Sequence, residues 1–375
     1  MFIITGKYNE AVVFSDYESV EPSSYGQILQ LCDQEFSKDA KIRIMPDVHA
    51  GAGCTIGTTM TITDKIVPNL VGVDIGCGME VACLENRRVN LPELDKAVKE
   101  NIPSGFAIRK SEHKFNAFID LENLKCRRGV NLDRAKQSIG TLGGGNHFIE
   151  AGKDDEGKLY LVVHSGSRHL GLETANYYQN EAYKRQNKGA KKDKHSGVCK
   201  VFAYAEGELF GDYIHDMKIV QKFADINRKA IVDEIVKKMK FDVAEQFTTV
   251  HNYIETETMI LRKGAISAKE GEKLIIPMNM RDGSLICTGK GNPDWNYSAP
   301  HGAGRIMSRS EAKQNLILGE FKKQMDGIYT TTVSVSTLDE APMAYKPMDE
   351  IIRHIGDTVE IVKKISPVYN FKAAE

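Results

Sequence analysis

The stretch Leu159-Tyr-Leu-Val-Val-His-Ser-Gly-Ser-Arg168, with the helix-forming run Leu170–Gln186 directly behind it, decides how this chain is read. Its apolar run has strand length, and it stops on a histidine and a Ser-Gly-Ser turn. The same alternation of short strands and helices recurs on both sides. Strands are expected at Ile42–Met45, Thr58–Ile62, Leu159–His164, Phe247–Tyr253 and Leu274–Pro277, with a short one at Phe2–Ile4. Helices are expected at Leu91–Glu100, Leu170–Gln186, Glu206–Lys240, Ser308–Met325 and Met348–Lys364. In the longest, Leu209, Tyr213, Val220, Phe223, Ala224, Ile231 and Ile235 recur near the helical period. The strands follow no regular strand-helix-strand rhythm, which argues against a Rossmann-type doubly wound sheet. The expected class is α+β: mixed sheets surrounded by helices. No linker divides residues 1–375, so one domain is expected, with a mainly helical insertion around 170–240.

Of the 375 residues, 41% are apolar and 27% charged, the balance of an ordinary globular enzyme. No apolar run approaches membrane-spanning length and the N-terminus lacks a secretory pattern, so a cytoplasmic protein is expected. Seven scattered cysteines without framework spacing argue against disulfides and leave one or two as possible ligands. A formal charge of −1 excludes a globally basic surface, so nucleic acid would have to meet local patches. Arg87-Arg88, Lys125–Arg128 and Lys188–Lys194 are the candidates, although most such clusters are solvated faces.

Glycine runs at Gly51–Gly53, Gly72–Gly78, Gly143–Gly145, Gly289–Gly291 and Gly302–Gly304 mostly lie beside His, Cys or Asp. Taken singly, each is more often a turn; several together beside ligand-type residues suit phosphate or metal sites. Asp74 and Cys77 lie in one such turn, His147 follows another, and His164 and His251 each end an apolar strand. A thiolate, a carboxylate and three imidazoles exceed the needs of one tetrahedral ion. They suit two cations sharing the sulfur, with zinc, cobalt or manganese as candidates. Each histidine alone is more often a satisfied structural residue. The segment Ala299-Pro-His-Gly-Ala-Gly-Arg305 sets a histidine on a turn before a helix, where it could contact a phosphate or attack one.

Six motifs together resemble the RtcB family of RNA-splicing ligases: Met45–His49, Val71–Gly78, Gly140–Glu150, Val163–Arg168, His251-Asn-Tyr253 and His301–Arg305. They fall in the family's order, and the resemblance extends to Pro342–Lys346 and Lys372. It implies that Asp74, Cys77, His147, His164 and His251 hold two divalent ions, with manganese expected and Cys77 bridging. It implies that His301 is guanylylated by GTP, and that Asp47 lies near the RNA 5′-hydroxyl. Asn146, Phe148, Glu150, Asn252, Asn279, Ser284, Gly302, Ala303, Gly304 and Lys372 would then hold the nucleotide. The implied reaction, in RNA splicing or repair, joins a 3′-phosphate or 2′,3′-cyclic phosphate end to a 5′-hydroxyl through an RNA-ppG intermediate. Pro277-Met-Asn-Met280, Trp295–Pro300 and the tail Phe371–Glu375 depart from the family pattern, as in a divergent, shorter branch. The competing reading is a two-metal phosphoesterase that opens or removes RNA phosphates without ligation, and it would not need His301 as a nucleophile. A non-catalytic RNA-binding protein is weaker, since it would predict a more basic surface.

Overall fold

The computed structural model describes residues 1–188 and 199–373. His195, the tail residues Ala374 and Glu375, and the basic run Lys188–Lys194 apart from Lys188 lie outside the described residues. Two sheets organise the rest. The larger has seven antiparallel strands in the order Val243–Val250, Gly78–Leu84, Leu159–Ser165, Phe148–Lys153, Val359–Lys372, Gly283–Gly289, Lys273–Asn279. It curls so far that Lys273 on one edge strand pairs with Glu245 on the other. The smaller sheet has six strands, ordered Phe2–Thr5, Glu10–Val13, Ile42–His49, Ile56–Thr61, Ile260–Lys263, Asn252–Glu255, and one of its pairs is parallel. The chain adopts the mixed α+β class, and the described residues form no Rossmann sheet.

Side-chain alternation on the large sheet positions everything that follows. Leu159, Leu161 and Val163 pack with Ile149, Ala151, Tyr369 and Phe371 against Ile231 and Ile235 of the helix Gly207–Met239. Their neighbours Tyr160 and Val162 turn to the concave face and meet Met79, Val81, Phe148 and Ile365. With both faces covered, such strands lose their polar alternation and read as continuous apolar runs. Burial of each large aliphatic side chain there contributes about 1.5–3 kcal/mol.

Three expected elements differ. The strand expected over Phe247–Tyr253 is two, Val243–Val250 in the large sheet and Asn252–Glu255 in the small one, with His251 at the switch. The helix expected over Ser308–Met325 breaks into Arg309–Asn315 and Leu318–Gln324. Leu316, Leu318 and Phe321 all pack on one cluster, whereas a continuous helix would point Leu316 and Leu318 roughly 200° apart. The helix expected over Met348–Lys364 stops at Ile355, and Val359–Lys372 is a central strand. Gly356 ends the helix, and the β-branched Val359, Ile361, Val362 and Ile365 favour the extended chain that both neighbours pair. Among the described residues no helix is long and apolar enough to cross a membrane.

Ile365 is fully buried on this strand, whereas Val362 is exposed. Ile365→Ala should lower unfolding free energy by about 2–5 kcal/mol and Val362→Ala by less than about 0.5 kcal/mol. Urea unfolding checks this; equal effects would contradict the strand assignment.

Candidate functional site

Five ligand-type side chains converge where the two sheets meet. The turn after the short helix Pro68–Val71 presents Asp74 and Cys77. It is fastened by Gly76 N–H donating to Asn252 O at 2.7 Å and His251 N–H donating to Cys77 O at 2.9 Å. His164 projects from its strand, and His147 ends the glycine loop facing it in the neighbouring strand. Cys77 Sγ lies 3.4 Å from His147 Nε2 and 3.3 Å from His164 Nε2, and His147 Nε2 is 3.1 Å from Asp74 Oδ2. Two triads result, Cys77–His164–His251 and Asp74–Cys77–His147, and they share the sulfur.

Accounting for the protons shows what such a cluster accepts. His147 Nδ1 faces Leu142 O at 2.9 Å and His164 Nδ1 faces Asn146 O at 3.1 Å, so these ring nitrogens carry the hydrogens. Arg168 Nη1 also approaches His147 Nδ1 at 3.1 Å, but the shorter carbonyl contact assigns the hydrogen. Both Nε2 lone pairs then point at sulfur, an arrangement suited to a cation rather than to hydrogen bonding. His251 Nδ1 is buried without a partner. Burial holds His164 and His251 well below the usual imidazole range, which keeps them neutral donors, and pushes the Cys77 thiol up. Burial would also raise Asp74, but His147 and Arg168 hold it low. The donor set fits two divalent cations sharing a thiolate.

His301 stands beside this cluster, its ring centroid 4.8 Å from that of His251. It follows the short strand Ser298–Pro300 and is held by the strand Ile42–His49. Asp47 Oδ2 accepts from His301 N at 3.1 Å and from Nδ1 at 2.6 Å, and Asp47 is fully buried. This contact leaves Nε2 as the free ring nitrogen. Gly304 makes the close approach possible: its φ is +76° and a Cβ would lie 2.3 Å from Asp47 O. The Asp47 carbonyl accepts from His49 Nδ1 at 2.8 Å, and burial lowers His49 to about 4.

A cavity of about 660 Å³ opens between His301 and the concave face of the large sheet. Pair register sets its floor: Phe148 lies opposite His164 and Lys372, and Glu150 opposite Asn370. Asn370 Nδ2 donates to Glu150 Oε2 at 2.9 Å, while Glu150 Oε1, Asn370 Oδ1 and Ser284 Oγ are buried without partners. Burial pushes Glu150 up to about 8 despite Asn370 and Lys372. Lys372 Nζ pairs with Glu340 and donates to Asn146 O at 3.2 Å. Burial alone would raise Glu340, but Lys372, Arg309 and Arg305 hold it at about 2. A second cavity, of about 420 Å³, reaches Asp74 by a different route, lined by Arg134, Arg168, His169 and Phe106. Arg134 Nε there is buried without a partner, and Phe106 is 84% exposed.

The larger cavity gathers Asn146, Phe148, Glu150, Asn279, Ser284, Gly302, Ala303, Gly304, Lys372, His164 and His301. Asn252 is not among its lining residues; its amide ties Asp74 O, at 3.3 Å, to Gly264 N, at 3.0 Å. Asn279 lines the wall, but its amide is engaged by Arg281 N, Asp282 N and the Asp282 carboxylate. Sequence reasoning passed over His49, Arg309, Glu340 and Asn370. The Asn370 signal was available, since alternation back from Lys372 sets both on one face. Of the basic pairs, Arg87 is tied to Glu156 O and Arg127 to Glu122 O.

Fold and site together define a mixed α+β protein with a candidate cation site, centred on the Cys77 sulfur, between two cavities. Comparison with known proteins gives the family. The model described as "tRNA-splicing ligase RtcB" matches residues 34–373. The RNA-splicing ligase RtcB of Escherichia coli K12 is 32% identical over 366 residues, covering 87% of this chain and 88% of that one. The tRNA-splicing ligase RtcB of Aeropyrum pernix is 26% identical, covering 87% and 86%. RNA-splicing ligase RtcB2 of Escherichia coli ATCC 25922 is 27% identical, covering 88% and 86%. The chain belongs to the RtcB family.

Glu150 gives this site a pH signature. Its folded value of about 8 lies above the ordinary 4.5, so the folded state favours the protonated acid. The resulting penalty is absent below about pH 4.5, grows through the interval and is complete above about pH 8. Glu150→Gln should therefore lose less stability than the parent chain between about pH 5 and 8, as measured by denaturant unfolding without nucleotide. Parallel pH profiles would contradict the buried, protonated carboxyl.

Proposed function

We propose that this protein is a GTP- and divalent-metal-dependent RNA ligase that joins 3′-phosphate or 2′,3′-cyclic phosphate ends to 5′-hydroxyl ends. The observation that carries the reading is His301, held through Nδ1 by a buried carboxylate beside both the ligand cluster and a nucleotide-sized cavity. A pinned Nδ1–H leaves Nε2 as the nucleophile and stabilises the charge that develops on the ring. When bound, two divalent cations, with manganese expected, supply positive charge against the triphosphate and RNA phosphate oxygens. Asp74, Cys77, His147, His164 and His251 would hold them.

Guanine fits the inner end of the larger cavity. Its N1–H and amino group are two donors for Glu150, whose Oε1 has no partner, and adenine lacks that donor pair. Such donors favour the ionised carboxylate, so guanine binding would release the Glu150 proton. The α-phosphorus then meets His301: an Nε2–P bond forms and the bond to pyrophosphate breaks. An RNA 3′-phosphate oxygen next attacks that phosphorus, breaking the N–P bond and giving RNA-ppG. The 5′-hydroxyl finally attacks the RNA phosphorus, losing its proton as GMP departs. A cyclic end must first be opened by water to the 3′-phosphate. Asp47, assigned from the family to the 5′-hydroxyl, serves here as the residue that orients His301.

The smaller cavity offers RNA a separate approach. Arg134 and Arg168 supply cationic donors for backbone phosphates, and the exposed Phe106 ring supplies a stacking face.

Incubation with α-labelled GTP should leave acid-labile label on the chain and none on His301→Ala. Asp47→Asn should slow labelling by at least about 10²-fold, because the amide cannot hold the same charged partner. Sealing should require a 3′-phosphate or cyclic phosphate and a 5′-hydroxyl; a chain that opens cyclic ends without sealing or labelling is a phosphoesterase instead. Phe106→Ala and Arg134→Ala should weaken RNA binding about tenfold or more while leaving self-labelling unchanged. Unchanged RNA affinity in both variants would remove the smaller cavity from RNA binding.

A further inference from the structure

Two neighbouring polar residues interrupt the apolar face of the helix Gly207–Met239. Asn227 and Arg228 are fully buried between Phe223 and Ile231; among the described residues Arg228 has no carboxylate within ion-pair distance, and its Nε has no partner, so its two terminal nitrogens carry its bonds. Burial of an amide and a guanidinium is unfavourable unless their hydrogen bonds are made, so their partners identify their task. Asn227 Oδ1 accepts from Gly140 N at 2.8 Å and Thr141 N at 3.1 Å, at the root of the loop that carries His147. Asn227 Nδ2 donates to Thr141 O at 3.1 Å, Ser165 Oγ at 3.0 Å and Gly166 O at 3.1 Å, just behind His164. Arg228 Nη1 donates to Gly76 O at 2.7 Å, between Asp74 and Cys77, and to Ser165 O at 3.2 Å. Its Nη2 donates to Thr248 Oγ1 at 3.3 Å, on the strand that ends before His251.

One connection reaches a ligand ring itself. Asn227 Nδ2 bonds Ser165 Oγ, whose hydroxyl donates to Leu142 O at 2.8 Å. That same carbonyl accepts from His147 Nδ1. Ring orientation in a metal site is set by such outer contacts, and their loss typically weakens metal binding about 10–100-fold.

We propose that Asn227 and Arg228 are positioning residues for the cation cluster, holding from one helix the segments that carry all five ligands. This rests on the reading of those side chains as metal ligands. The test therefore begins with cobalt(II) titration of the full chain, followed through sulfur-to-cobalt absorption. Loss of that band in Cys77→Ser establishes the centre; its persistence would overturn both the centre and the proposal. Asn227→Ala and Ser165→Ala should then bind cobalt(II) about 10–100-fold more weakly, with a displaced absorption band. Asp216 is the control: it lies on the same helix, equally buried, but holds Lys125 N, Cys126 N and Tyr178 Oη instead. Asp216→Asn should lower thermal stability and leave cobalt(II) affinity unchanged. Wild-type affinity and spectrum in folded Asn227→Ala would overturn the proposal, as would equal weakening in Asp216→Asn. Should Asn227→Ala fail to fold, the nearly isosteric Ser165→Ala decides, and unchanged affinity in it overturns the proposal.

Discussion

Everything in this site depends on one geometric constraint, the two-residue period of a strand covered on both faces. Val163 and Ile149 belong to the helix side, so His164 and Phe148 must belong to the concave side. The same parity puts Asn370 and Lys372 over the cavity while Tyr369 and Phe371 face the helix. A slip of one residue in any of these strands would send an ionisable group into the apolar layer and a large apolar side chain into the cavity. The hydrophobic layer thus specifies the register, and the register specifies the polar constellation.

The second organising element is the passage between sheets at His251. A chain that leaves one sheet and enters another must turn there, and its backbone groups need partners during the turn. Cys77 O and Gly264 N supply them, so His251 is tied both to the turn that carries Cys77 and to the end of the strand Ile260–Lys263. The apolar strands set distances across the sheet, and this crossing sets the angle at which the third imidazole enters. Asp47, inside a strand of the small sheet, reaches His301 through its side chain.

Much of this was readable from the chain, for physical reasons that differ by element. Leu159–His164 and Gly207–Met239 carry strong apolar patterns, and their assignments differ from the structure by no more than a residue at each end. The ligand-type residues stood out because each sits beside a glycine turn or at the end of an apolar run. The segment Val359–Lys364 reads as helix because it follows a real helix and carries Lys363 and Lys364, while its strand partners are distant in sequence. Pairing of that kind leaves no local trace. Asn252 and Asn279 illustrate a different limit: position in a motif shows that an amide is present, not that its hydrogens are already committed to Asp74 O or to the Asp282 carboxylate.

The two cavities have no lining residue in common, and each touches the ligand cluster from its own direction, one at His164 and the other at Asp74. On the proposed assignment, with nucleotide in one and RNA in the other, neither substrate need leave for its partner to enter. A compound seated in the larger cavity would then compete with GTP and act as a non-competitive inhibitor toward RNA. One that fills the smaller cavity would show the opposite pattern. Steady-state inhibition could therefore tell the two mouths apart without any substitution in the chain.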